Sequence, residues 1–150
     1  LPTVLAQLEN SGTPLELALI DGDHTTLGVR QDCESFLRYR PCATLYVLMH
    51  DSFNPDVRAG IRGAAWESSP YVHALELDFV PGVMFSDASP LRRQMWGGFA
   101  LAILTPEKRQ GTLRASAKSE LGYQSLRPLS AHNAVVRRTL QLGRFLGLVP

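Results

Sequence analysis

Two short runs carry side chains able to do acid–base or metal chemistry: Ile20-Asp21-Gly22-Asp23-His24 and Met49-His50-Asp51-Ser52. Each follows an apolar run of strand length, LELALI at 15–20 and TLYVLM at 44–49. In open α/β sheets ligands sit beyond the carboxyl ends of the strands, so both turns lie where a site belongs. Adjacent parallel strands would bring Asp21, Asp23 and His24 close to His50 and Asp51 around one crevice. Carboxylate oxygens with some imidazole nitrogen suit Mg, Mn or Fe better than a closed zinc cage, whose ligands are normally richer in Cys and His. An Asp at a strand-to-helix turn also serves as a plain cap or Asx turn. Either turn alone therefore has a structural explanation, and it is the pair that points to function.

The elements that must position these residues follow from periodicity and punctuation. Residues 3–9 read as a helix end, stopped by Ser11, Gly12, Thr13 and Pro14. Thr25 or Thr26 can cap a second helix with Leu27, Val29, Cys33, Phe36 and Leu37 inward and Arg30, Gln31, Asp32 and Glu34 outward, ended by Pro41. Asn54 and Pro55 open a third through about Trp66, with Val57, Ile61 and Ala65 on one face. Apolar strands separated by such helices belong to a parallel sheet covered on both faces. After Ser69 and Pro70, YVHALELDF (71–79) and GGFALAIL (97–104) have no helix pattern between them and are expected to pair antiparallel. The connection 80–96 is long enough to be functional or mobile. Residues 107–128 look polar and poorly periodic, whereas 130–147 read as an amphipathic helix with Val135, Leu142, Phe145 and Leu146 inward. The expected fold class is α/β: parallel strands, an antiparallel final pair and helices on both faces.

At 150 residues, 45% hydrophobic and 8% aromatic, the composition is that of one soluble globular domain. A chain this long can build a core without disulfides or structural metal. Cys33 and Cys42 make no disulfide framework and read as free thiols, which suits a reducing cytoplasm. No run approaches a membrane span and the first residues do not form a signal peptide, so no membrane partner is expected. The lack of an initiating Met suggests a fragment. The near-neutral total hides an asymmetry: 7 basic and 12 acidic side chains before Pro106, 8 and 2 from there on. Such a basic tail can bind nucleic acid, but the simpler expectation is a helix packed on the acidic body, with no nucleic-acid partner. His73 reads as a core or surface histidine, Met49 as core, and Trp66 and Trp96 as packing residues, with Trp96 placed to line an acceptor pocket.

The runs LALIDGDHTTLGVRQDCESFL, LYVLMHDSFNPDVRAGI, LELDFVPG and WGGFALAIL resemble the carboxyl-terminal half of a class I S-adenosylmethionine-dependent methyltransferase. The nearest branch is that of metal-assisted small-molecule O-methyltransferases and the cephalosporin hydroxylase-like proteins grouped with them. The likeness covers about residues 15–105. It implies a partial Rossmann-like domain over residues 1–105 followed by a basic, mainly helical tail over 106–150. It also implies methyl transfer to a hydroxyl of a small-molecule acceptor, assisted by Mg or Mn. Asp21 matches a metal ligand of that family, and His50 with Asp51 matches the pair that supplies the others. His50 stands where relatives often have an acidic residue.

His24 occupies the position of the family's catalytic Lys, and an imidazole there can take a proton from a metal-acidified hydroxyl. Asp23 is expected to orient it or to support the ligands from behind. The family holds S-adenosylmethionine mainly with its amino-terminal half, through a glycine-rich turn and an acidic residue at the ribose. The resemblance therefore implies half a catalytic domain, completed by a missing amino-terminal half or by a partner chain, including a second copy. Two other classes stay open: a catalytically incomplete interaction module, and a metal-dependent hydrolase using Asp21, His24, His50 and Asp51.

Overall fold

A computed structural model of the protein describes residues 1–85 and 95–117. Up to Gly63 the chain alternates helix and strand: α1 (Pro2–Ser11), β1 (Leu17–Ile20), α2 (Thr26–Arg38), β2 (Leu45–His50) and α3 (Pro55–Gly63). The boundaries have local causes. Gly12 closes α1 in the left-handed region at φ 65°, where a residue without Cβ is unstrained. The Thr25 hydroxyl accepts from Gly28 N at 3.0 Å and starts α2. The Asn54 side chain accepts from Asp56 N at 3.0 Å, and Pro55 follows with its φ already suited to a first helical turn. The remaining strands are β3 (Val72–Val80), β4 (Val83–Met84), β5 (Met95–Trp96), β6 (Phe99–Leu104) and β7 (Arg114–Ser116).

The protein is mixed α/β, with a five-stranded sheet in the order β1-β2-β6-β3-β7 and β4 paired with β5 beside it. β1 and β2 are parallel, running from Leu17 opposite Tyr46 to Ile20 opposite Met49. β6 lies between β2 and β3 and is antiparallel to both, whereas β7 runs parallel to β3. This is a partial Rossmann-like arrangement in which β6 alone is reversed. The parallel pairing ends both strands at one edge, so the turns after Ile20 and His50 emerge side by side.

Helix faces and alternate strand residues feed one cluster. Val29, Cys33 and Phe36 of α2 and Val57 and Ile61 of α3 pack with Ile20, Leu45, Val47, Met49, Ala100, Ala102 and Leu104. The Cys33 thiol lies 3.8 Å from the Met49 sulfur, which fixes the face over which α2 runs. On the other face Leu17, Leu19 and Tyr46 of β1 and β2 are 62%, 59% and 45% exposed. Across the rear of the site, Arg58 of α3 pairs with Asp78 of β3 at 2.9 Å, both side chains almost fully buried. Arg58 also donates to the Ser52 carbonyl at 3.3 Å and lies over the Phe53 ring.

Three expectations need correction. The third helix stops at Gly63 rather than reaching Trp66, because Ala64 turns extended (ψ 145°) and Trp66 enters a short 3-10 turn, Trp66–Ser68. There its indole N–H donates to the Ile61 carbonyl at 2.6 Å, closing the helix end from outside. Residues 107–117 are not without structure: β7 joins the sheet although RAS is too short and polar to read as a strand. Arg109 holds this segment down by donating to the carbonyls of Ser69 and Val72 and to Glu67 Oε2. The connection after β3 contains the β4–β5 pair. The expected helix over 130–147, with Val135, Leu142, Phe145 and Leu146, lies outside the described residues. Among the described residues no helix is long and apolar enough to cross a membrane.

Candidate functional site

Asp21, Asp23 and His24 occupy the turn from β1 into α2, and His50 and Asp51 end β2. Asp51 takes φ 55°, a left-handed conformation that Asp tolerates better than most side chains, and the chain turns there toward the Asn54 cap. Asn54 N donates to the Asp51 carbonyl at 2.7 Å, so the turn is closed by its own backbone.

Four of the five side chains meet. His50 Nδ1 is 2.9 Å from Asp21 Oδ1, and His24 Nε2 is 3.4 Å from the same oxygen. The far nitrogen of each ring faces Asp51: His24 Nδ1 at 3.3 Å from Oδ2, and His50 Nε2 at 3.7 Å from Oδ1. Asp21, His24 and His50 can each offer one ligand atom with all three atoms within 4.8 Å of one another. Asp21 is 47% exposed, His24 42%, His50 33% and Asp51 15%, so the crevice opens to solvent above the two imidazoles and closes at Asp51. Hydrogen bonding to His50 first, and to His24 second, holds the Asp21 carboxyl below the usual Asp range.

Asp23 does something else. Its Oδ1 accepts from Thr25 N at 3.0 Å and its Oδ2 from the Thr25 hydroxyl at 2.8 Å. It thus secures the residue that caps α2, and the groups facing the His24 ring are Asp21 and Asp51. The expected Asp23–His24 pairing is replaced because the Asp two residues before a Thr cap reaches the cap's N–H at once. Gly28 makes room for this: a Cβ there would stand 2.3 Å from Asp23 Oδ2.

Sequence reasoning did not single out Phe99, whose ring lies 5.0 Å from that of His50 at 48° and supports it from β6. The register places Phe99 directly opposite His50, but that pairing follows from the insertion of β6 beside β2, which no local pattern announces. Of the remaining expectations, His73 Nε2 lies 2.9 Å from both the Thr105 hydroxyl and the Glu107 carbonyl and helps fasten the chain after β6. Trp66 is buried packing, Trp96 sits half-buried in β5, and Cys33 and Cys42 are both free thiols. Comparison with family models, with curated proteins and with solved structures finds no match to this chain.

Proposed function

We propose that these residues form the cation and acceptor side of an S-adenosylmethionine-dependent O-methyltransferase acting on a hydroxyl of a small molecule. The observation that carries this reading is the convergence of Asp21, His24 and His50, with Asp51 behind them, at the carboxyl ends of two adjacent parallel strands. The parallel β1–β2 pair followed by the antiparallel β3–β6 pair is also what the family resemblance implies. A bound divalent cation, Mg or Mn by that resemblance, would acidify a coordinated hydroxyl and help orient its oxygen toward the methyl group.

The protein's own part is to gather negative charge and imidazole nitrogen at one exposed spot and to receive a proton. His24 and Asp51, 3.3 Å apart, are the two neighbours to which the acceptor's proton can go. Asp23 keeps the His24 turn rigid through Thr25, and Phe99 steadies His50. No residue described here is assigned to S-adenosylmethionine, whose binding in this reading belongs to a further segment or partner chain. The two unpaired thiols fit a cytoplasmic setting.

Transfer of a labelled methyl group from S-adenosylmethionine to a panel of catechols and aliphatic hydroxyls, with the full-length protein, tests the proposal. Transfer that stops with chelator and with Asp21→Asn supports it. A second reading, metal-dependent hydrolysis, is favoured by the two imidazoles among the carboxylates, a donor set able to activate water. Chelator-sensitive cleavage of phosphate or carboxylic esters without methyl transfer would select it. Binding to a partner chain with neither activity would select an interaction module.

A further inference from the structure

Resting on the reading of this crevice as a cation site, we propose that the cation is held by Asp21, His24 and His50, with Asp51 outside its coordination shell fixing both imidazoles. The centre therefore takes a borderline transition ion such as Zn or Co in preference to Mg. This reverses two roles implied by the family resemblance: His24 becomes a ligand, and Asp51 becomes the carboxylate behind the ligands.

Each imidazole has one nitrogen toward Asp21 and the other toward Asp51. Histidines that bind metal commonly donate their second ring N–H to a carboxylate, which fixes the tautomer and leaves a lone pair on the metal side. Asp51 is within reach to do this for His24 at 3.3 Å, and His50, at 3.7 Å, needs only a small approach to join it. On the opposite side, the two nitrogens lie 2.9 and 3.4 Å from Asp21 Oδ1. Ligand atoms about 2.0–2.2 Å from a shared ion, at tetrahedral or right angles, stand roughly 2.8–3.6 Å apart; both Asp21–imidazole pairs meet this spacing, and the three atoms together lie within 4.8 Å of one another.

The donor chemistry decides the ion. Mg favours all-oxygen octahedral sites and gives up water reluctantly, whereas imidazole suits Zn, Fe, Ni and Cu. Two imidazoles and one carboxylate leave positions open on the solvent side, where Asp21 and His24 are 47% and 42% exposed and an acceptor oxygen can enter.

The test is titration of the full-length protein with Co, Zn, Mn and Mg separately, followed by calorimetry and, for Co, by visible absorption. Co and Zn should bind at least about 100-fold more tightly than Mg. His24→Ala and His50→Ala should each weaken Co binding roughly 100-fold or more and alter its absorption bands. Asp51→Asn should cost about 10- to 100-fold while keeping the band pattern, as expected of a group outside the coordination shell. Mg binding as tight as Co, or abolition of binding by Asp51→Asn with none of the loss in His24→Ala, overturns this assignment while leaving a cation site in place. Failure of every ion to bind overturns both it and the metal-assisted reading beneath it.

Discussion

Replacing Asp78 by Ala should destabilise the fold more than any exposed change at the candidate site. Asp78 is 2% exposed at its side chain and Arg58 1%, with 2.9 Å between Oδ1 and Nη1. Removing the carboxylate takes away a counter-charge that stands 2.9 Å from a buried guanidinium. The carbonyls of Ser52 and Leu77, at 3.3 and 3.5 Å, cannot replace that charge. Breaking one side of a buried pair costs about 3–5 kcal/mol, a large share of the roughly 5–15 kcal/mol that holds a domain together. With a urea dependence of about 2 kcal/mol per M, the unfolding midpoint should fall by about 2 M. The double variant Arg58→Met with Asp78→Leu removes both charges and keeps the volume apolar, so it should recover most of the loss. Urea unfolding followed by circular dichroism reads both, and the double variant keeps the comparison usable if the single one does not fold. A loss below about 1 kcal/mol for Asp78→Ala, or a double variant no better than the single, would refute the argument.

Other outcomes follow from single contacts. Gly60→Ala should cost about 1–3 kcal/mol by thermal melting, because its Cβ would sit 2.7 Å from the Thr26 carbonyl and 2.8 Å from Val29 and push α3 off α2. Thr25→Ala should cost about 1 kcal/mol through loss of the α2 cap, whereas Thr25→Ser, which keeps the hydroxyl, should cost far less. A thiol reagent at pH 8 should label Cys42 and spare Cys33, whose burial pushes its thiol up to about 12 and keeps it protonated; rapid labelling of both in folded protein would contradict this.

The legible part of the fold was what local chemistry dictates. The Thr25 and Asn54 caps, the apolar runs that became β1 and β2, and the two turns at their ends all follow from side chains acting on neighbouring backbone. Long-range pairing was harder to read. The position of β6 between β2 and β3, which sets Phe99 against His50, is a topological choice that no local pattern encodes. β7 was missed because its three residues gain their place from Arg109 and its hydrogen bonds rather than from strand propensity. At the site, proximity in sequence suggested Asp23 as the partner of His24. The Thr25 cap took that carboxylate, and Asp51, distant in sequence, faces the ring instead.

The most direct test of the central claim is calorimetric titration of the full-length protein with a divalent cation, wild type against Asp21→Asn, because both imidazoles approach Asp21 Oδ1. The account predicts binding at one site in the wild type and its loss in Asp21→Asn with the melting temperature unchanged. No binding in the wild type, or undiminished binding in the variant, would contradict it.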